Sequence, residues 1–411
     1  MNKIIIEEII VGETRIDYKC SIEGEWKKLF SDIPFWVEYN SAIYKTPKSI
    51  AVIPILGTLL PLAWLYDGRI EVDEIDQDFY ECIPKIKQEY QKMYSEINLS
   101  GEIVVRNVLN NKMSGVEKSA CLFSGGVDAV QTLITHMSEK PILLSIWGAD
   151  IAYDNQKGWK LIEKNTKTVA KENGLEYCII HSSFRKFVIE DKVHKDTMKW
   201  TGYGWWYGFH HSLGMLCLMA PLVGTKMIKK IYIASSNTAE DTSACASDPK
   251  IDNKVTYAGA HIEHDGFEFN RQQKVCRIAR YIKENNKSIK VHVCWQDASG
   301  ENCCRCEKCA RTMLEFYAEG IDPQEVGFSY TLKDIKKMSY DLKYGPILLT
   351  DYNCYYLDSQ KILRKNYTLN QVIPCLRWFY NCDINRISEA GFRGKTLFRK
   401  IIRLVERKQF E

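Results

Sequence analysis

Residues 119–136, SACLFSGGVDAVQTLITH, constrain the fold more than any other stretch. An apolar run over 120–123 predicts a short buried strand, which breaks at Ser124-Gly125-Gly126; Val130, Leu133 and Ile134 then follow at helical spacing. Strand, glycine turn and helix in that order predict an α/β chain with free backbone N–H groups at a strand's carboxyl end. Two glycines let the main chain approach an anion closely, Ser124 adds a hydroxyl donor, and the helix's first turn adds positive potential. The plain alternative is an ordinary glycine turn with Asp128 as the helix N-cap.

The pattern then repeats. Strands are predicted over 141–147, 175–181 and 230–235, with helices over 159–173 and 208–223. Strands separated by helices imply a parallel, doubly wound sheet, whose ligands sit beyond the strand carboxyl ends. Those ends carry 124–128, Gly148-Ala149-Asp150, Ser182-Ser183-Phe184-Arg185 and 236–241, which includes Asn237 and Asp241. Between the third and fourth strands, the glycine-rich aromatic run 201–212 contains His210 and His211. Adjacent helical residues diverge, so packing or hydrogen bonding is expected there rather than a metal. Residues 245–260 read as a long loop, with charge from His261 to His264 beside it. A helix running to Tyr281 sets Arg271 and Lys274 near its first turns, as candidate partners for a substrate anion or leaving pyrophosphate.

Residues 1–112 carry an alternating pattern over 4–18, an aromatic loop around 34–44 and a helix over 74–93 broken or kinked at Pro84, and predict an accessory α+β lobe. Residues 113–320 form the predicted nucleotide-binding domain. Residues 321–411 predict a helical extension with a basic end, Lys395, Arg399, Lys400, Arg403, Arg407 and Lys408, read as a solvated face. With 56 basic and 52 acidic residues the formal charge is only +4, which gives no support for a general nucleic-acid coat. The first residues lack a secretory pattern, and the apolar passage 50–66 is interrupted by Pro54, Gly57 and Pro61. The expectation is a cytoplasmic protein without a membrane span.

Five of the fifteen cysteines fall close together, as Cys294-x8-Cys303-x2-Cys306-x2-Cys309 with Cys304 as a spare thiol. Zinc takes four soft ligands in a tetrahedron, which a tight knuckle and one remote cysteine can supply. Iron–sulfur binding is the rival, and the choice between Cys303 and Cys304 stays open.

Taken together, the glycine turn and the knuckle resemble the PP-loop ATP pyrophosphatase family. Its signature SGGxDS stands here as Ser124-Gly125-Gly126-Val127-Asp128-Ala129, with alanine in the last place. Within that family the chain is most similar to the 7-cyano-7-deazaguanine synthases (QueC-like enzymes), over about residues 115–320, with Cys294, Cys303, Cys306 and Cys309 at the zinc-ligand positions. The segment from Asn237 to Asp241 is similar to the family's loop after the fourth strand, one residue longer. The additions at both ends resemble QueC-like proteins of bacterial anti-phage systems. The resemblance implies an adenine-nucleotide hydrolase-type fold, ATP, Mg2+ held in part by Asp128, and a structural Zn2+. It implies activation of a carboxylate, such as 7-carboxy-7-deazaguanine, as an acyl-adenylate with release of pyrophosphate. Amidation and nitrile formation, or conjugation to a partner protein, would follow, with a homodimer compatible with the pattern. A tRNA-modifying enzyme of the same family and a nucleotide-binding scaffold without catalysis are the alternatives.

Overall fold

The computed structural model describes residues 2–112, 117–241, 243–294, 296, 301–344 and 353–387. The basic C-terminal residues Lys395 to Lys408 lie outside them. The chain gathers into two compact units, 1–124 with 132–268 and 125–131 with 269–411.

The first unit is built on one eleven-stranded sheet. Its strands are β1 (Lys3–Val11), β2 (Arg15–Glu23), β3 (Trp36–Tyr39), β4 (Arg69–Asp76), β5 (Glu102–Leu109), β6 (Lys118–Leu122), β7 (Ile142–Trp147), β8 (Tyr177–Ser182), β9 (Ile228–Ala234), β10 (Thr256–Tyr257) and β11 (Ala260–Asp265). They lie in the order β10-β11-β9-β6-β7-β8-β3-β2-β1-β4-β5. From β11 to β8 all neighbours are parallel. The chain runs from β6 outward to β7 and β8, then returns to the other side of β6 for β9 and β11. The order therefore reverses between β6 and β9, the kind of point at which open α/β sheets bind ligands.

The first hundred residues do not make a sheet of their own. β3 pairs antiparallel with β8, in the register Val37↔Ser182, Glu38↔His181 and Tyr39↔Ile180, and so adds the N-terminal strands to the central set. The apolar passage near residue 50 becomes α1 (Ile53–Tyr66), buried from Ile53 through Trp64. A helix that is apolar all round belongs in a core, and each buried Leu or Ile there contributes about 1.5–3 kcal/mol relative to exposure. α2 (Gln77–Met93) is one helix containing Pro84, with Phe79, Cys82, Ile83, Ile86 and Tyr90 on its buried side and Asp76 as its N-cap. No helix among the described residues is long and apolar enough to cross a membrane.

Further along come α3 (Val127–Thr135), α4 (Gln156–Asn173) and α5 (Glu190–Thr201). The helix expected over 208–223 is broken into a π-helical turn over Trp206–His210, α6 (His211–Cys217) and α7 (Ala220–Lys226). The region read as a long loop with flanking charge holds a short helical turn over Pro249–Asp252, and 256–265 supply β10 and β11. β11 escaped the sequence reading because its outward positions are His261, Glu263 and Asp265, which interrupt an apolar run.

Helices dominate the second unit: α8 (Arg271–Asn285), α9 (Glu307–Ala318), α10 (Leu332–Tyr344) and α11 (Asn353–Asn366). Asn270 and Gln273 close a capping box on α8. A cavity of about 430 Å³ in this unit is lined by Met313, Tyr317, Ile335, Met338, Tyr367 and Leu376, among others.

Gly148, after β7, has φ +117°, and a Cβ there would stand 2.2 Å from the Ser182 carbonyl oxygen. Gly148→Ala is expected to lower stability by about 1–3 kcal/mol, read from the urea midpoint. An unchanged midpoint would show that the turn tolerates a side chain.

Candidate functional site

The chain leaves β6 and turns at Gly125, whose φ of +77° is a left-handed conformation favouring glycine. In the second unit the Gly125 carbonyl accepts a 2.7 Å bond from the His292 backbone N–H, which fixes the turn. α3 begins at Val127, so Asp128 lies within its first turn. Ala129 is buried at 5 % exposure, where a methyl group leaves no polar atom to satisfy.

Asp128 does not stand alone at the helix start. Its Oδ1 lies 3.1 Å from Lys274 Nζ and its Oδ2 3.4 Å from Arg271 Nη1. Arg271 Nε also meets Glu315 Oε2 at 3.0 Å, and Arg271 Nη2 donates to Thr312 Oγ1 at 2.9 Å. Only Asp128, at 26 % side-chain exposure, is appreciably open; Arg271 is at 9 %, Lys274 at 2 % and Glu315 at 0 %. Burial alone would raise the Asp128 pKa, but Lys274 and Arg271 outweigh it and hold the carboxyl below its ordinary range. The same balance raises Arg271: burial opposes its charge, and Glu315 and Asp128 restore it.

This cluster brings together three residues expected from sequence, Asp128, Arg271 and Lys274. Glu315 and Thr312 were missed, although a glutamate inside the apolar run ARTMLEFY is the kind of signal that marks a buried partner. As a ligand for Mg2+, Asp128 does not fit, because each carboxylate oxygen faces a fixed cation. A divalent ion placed there would meet two like charges. The arrangement instead holds two largely buried, oriented cations behind a partly open carboxylate in the first turn of α3.

Cys294, Cys303, Cys306 and Cys309 converge with all four sulfurs within 4.8 Å of one another. Opposed pairs stand at 4.0 Å (Cys294 to Cys306) and 3.9 Å (Cys303 to Cys309). Four sulfurs about 2.3 Å from a central zinc lie roughly 3.8 Å apart, so the set fits a closed tetrahedral zinc site. Backbone N–H groups of Cys306 and Cys309 point at the sulfurs of Cys303 and Cys306, each at 3.4 Å, which stabilises thiolates. The open choice between Cys303 and Cys304 is resolved by direction. Cys304 Sγ donates instead to the carbonyls of Asn302 (3.3 Å) and Ser329 (3.4 Å). Among the described residues this is the one such cluster of three or more ligating groups, and it omits His210 and His211. His210 Nε2 instead meets Thr58 Oγ1 at 2.9 Å, and His211 packs edge-on to Trp206.

In the first unit Ser124 follows β6, and Asn237 and Asp241 follow β9. Asn237 Nδ2 donates to the Tyr207 hydroxyl at 3.4 Å, while Asp241 Oδ1 accepts from Ser243 N at 3.1 Å and Oγ at 2.7 Å. The residues at the end of β8 and just beyond it make structural contacts: Ser182 Oγ donates to the Trp36 carbonyl at 2.6 Å, and Arg185 is held by Glu190 and the Ala149 carbonyl. The segment read as loop charge contains a buried pair missed by sequence, His264 Nδ1 with Asp252 Oδ2 at 2.7 Å. Ser247 also donates to that carboxylate at 3.0 Å.

No family model matches the chain, and neither the curated proteins nor the solved structures yield a match.

Two outcomes are expected. Asp128→Asn leaves Arg271 and Lys274 short of a partner and should cost about 2–4 kcal/mol at pH 7. Because the folded-state pKa is depressed, this contribution is present above the unfolded carboxyl pKa of about 3.9 and fades as pH falls through the folded value. Urea midpoints of both proteins should therefore converge in acid; a constant gap would refute the pairing. Metal analysis should find one zinc per chain, and Cys309→Ser should lose it together with thermal stability. Iron, or no metal in a normally folded protein, would overturn the zinc assignment.

Proposed function

We propose that this chain is an ATP-dependent, C–N bond-forming enzyme of the PP-loop type, which activates a carboxylate as an acyl-adenylate. What carries the reading is the joint placement of a left-handed glycine turn directly after β6 and a helix whose first turn bears Asp128 with Arg271 and Lys274 fixed against it. The similarity of Ser124 to Asp128 to the SGGxDS signature, and the four-cysteine cluster, point the same way.

In this reading the triphosphate lies against the backbone N–H groups of Gly125, Gly126 and Val127, with Ser124 adding a hydroxyl donor. A substrate carboxylate oxygen attacks the α-phosphorus, the bond to the bridging oxygen breaks, and pyrophosphate leaves with the electron pair. Arg271 and Lys274 offset the charge of that leaving group, and Glu315 and Thr312 keep the guanidinium oriented. Asp128 holds both cations in place until the polyanion arrives. It is a positioning residue rather than a metal ligand. An amine then attacks the acyl carbon, AMP departs, and the nitrogen loses a proton to give an amide. With ammonia as the amine, the amide oxygen would attack the α-phosphorus of a second ATP, releasing pyrophosphate and one nitrogen proton, and departure of AMP with loss of the remaining nitrogen proton would give a nitrile.

The substrate proposed is 7-carboxy-7-deazaguanine, and the acceptor is ammonia or the amino group of a partner protein, in an anti-phage role. Incubation with Mg-ATP and this acid, with mass spectrometry of small molecules and candidate acceptor proteins, separates the two products. Pyrophosphate release dependent on the carboxylate is expected, and Lys274→Met should lower it at least 100-fold, roughly the scale of removing one charge-stabilising donor. ATP binding without pyrophosphate release across a panel of carboxylates would leave a nucleotide-binding scaffold.

A further inference from the structure

β5 is the outermost strand at one end of the sheet. It pairs in parallel with β4 over Glu102 to Leu109, and among the described residues no strand covers its other side. The opposite end closes with the two-residue β10, too short to template another chain. An eight-residue edge exposes a row of backbone donors and acceptors, a strong invitation to strand pairing. It contains no proline and no lysine, and it ends on exposed Val108 (44 %) and Leu109 (39 %).

The two faces of β5 differ. Ile103 and Val105 are partly buried against the core, whereas Glu102, Val104, Arg106 and Val108 share the opposite face. On that face Glu102 meets Arg69 at 3.2 Å and Arg106 meets Asp73 at 3.7 Å, both on β4. Two copies joining edge to edge in antiparallel fashion are related by a two-fold axis perpendicular to the sheet. That axis keeps each face on its own side, so paired residue numbers must sum to an even number. The residue at the centre then sets which side chains oppose one another. Centring on Arg106 sets like charges opposite each other, and centring on Val105 sets both charged residues against valines. Centring on Val104 sets Glu102 opposite Arg106, twice. The charges across the joint then alternate: Arg69, Glu102, Arg106 of the partner subunit, Asp73 of the partner subunit.

We propose that β5 is a homodimerisation edge, where two copies of this chain join antiparallel about Val104 with reciprocal Glu102–Arg106 pairs. The joint continues the sheet from one copy into the other. It is independent of the nucleotide reading above.

Sedimentation equilibrium of the full chain over a dilution series tests this, with melting temperature recorded for each variant as a folding check. The wild type should show a concentration-dependent dimer. Arg106→Glu, and separately Glu102→Arg, set two like-charge pairs across the axis and should weaken dimerisation about tenfold or more, since each cross-strand pair swings from favourable to unfavourable. The double exchange Glu102→Arg with Arg106→Glu restores opposite charges and should return the constant to within roughly threefold of wild type. Val104→Cys should form an intermolecular disulfide between its own copies, identified by peptide mass mapping. Monomer throughout the series, single exchanges without effect, or a well-folded double exchange that stays monomeric would each overturn the proposal.

Discussion

The pairing of β3 with β8 is the joint on which the first unit depends. It is a short contact, three register pairs, yet it turns two sets of strands into one sheet. Side chains reinforce it: the hydroxyls of Ser182 and Ser183 bond to the backbone of Trp36 and Pro34, which satisfies polar groups that would otherwise be buried without partners. Once β3 is fixed there, β2, β1, β4 and β5 follow in order, and α1 is enclosed in a core shared by the N-terminal and central strands. Ser182 and Ser183 stand at the carboxyl end of β8, where ligands of a parallel sheet are expected. Their hydroxyls are committed to this joint.

The second unit rests on a different balance, one of charge. Asp128, Arg271, Lys274 and Glu315 carry two charges of each sign in a small, largely buried volume. Such a set is tolerable only when each ion has a partner, because desolvating an isolated charge costs several kcal/mol. The partner shared by both cations, Asp128, is also the most exposed member, so the group is closed on its buried side and open at the carboxylate.

The cysteine cluster follows a simpler logic. Cys306 caps α9, Cys309 lies in its first turn, and their N–H groups converge on sulfur. The spacing brings three thiols into one knuckle, and Cys294 completes the set.

How much of this was written in the sequence depends on the range of the interaction. The strand, glycine turn and helix over 119–136 were legible because periodicity and glycine act locally, and the same holds for the placement of Arg271 and Lys274 near the start of α8. The four sulfur ligands were legible as a set because metal geometry restricts spacing. The Cys303 or Cys304 choice was not, since it turns on which way one backbone unit faces. The partners of Asp128 are more than 140 residues away in the chain, and no local pattern encodes a contact of that separation. The merging of the N-terminal strands into the central sheet has the same character. Alternation over 4–18 predicts strands with one buried face, but their place in the sheet is set by edge pairing between β3 and β8. By itself the sequence determined the local elements and the chemistry each one carries. Only the tertiary structure decided which of those chemistries meet, because burial and pairing across the fold select partners that spacing along the chain cannot.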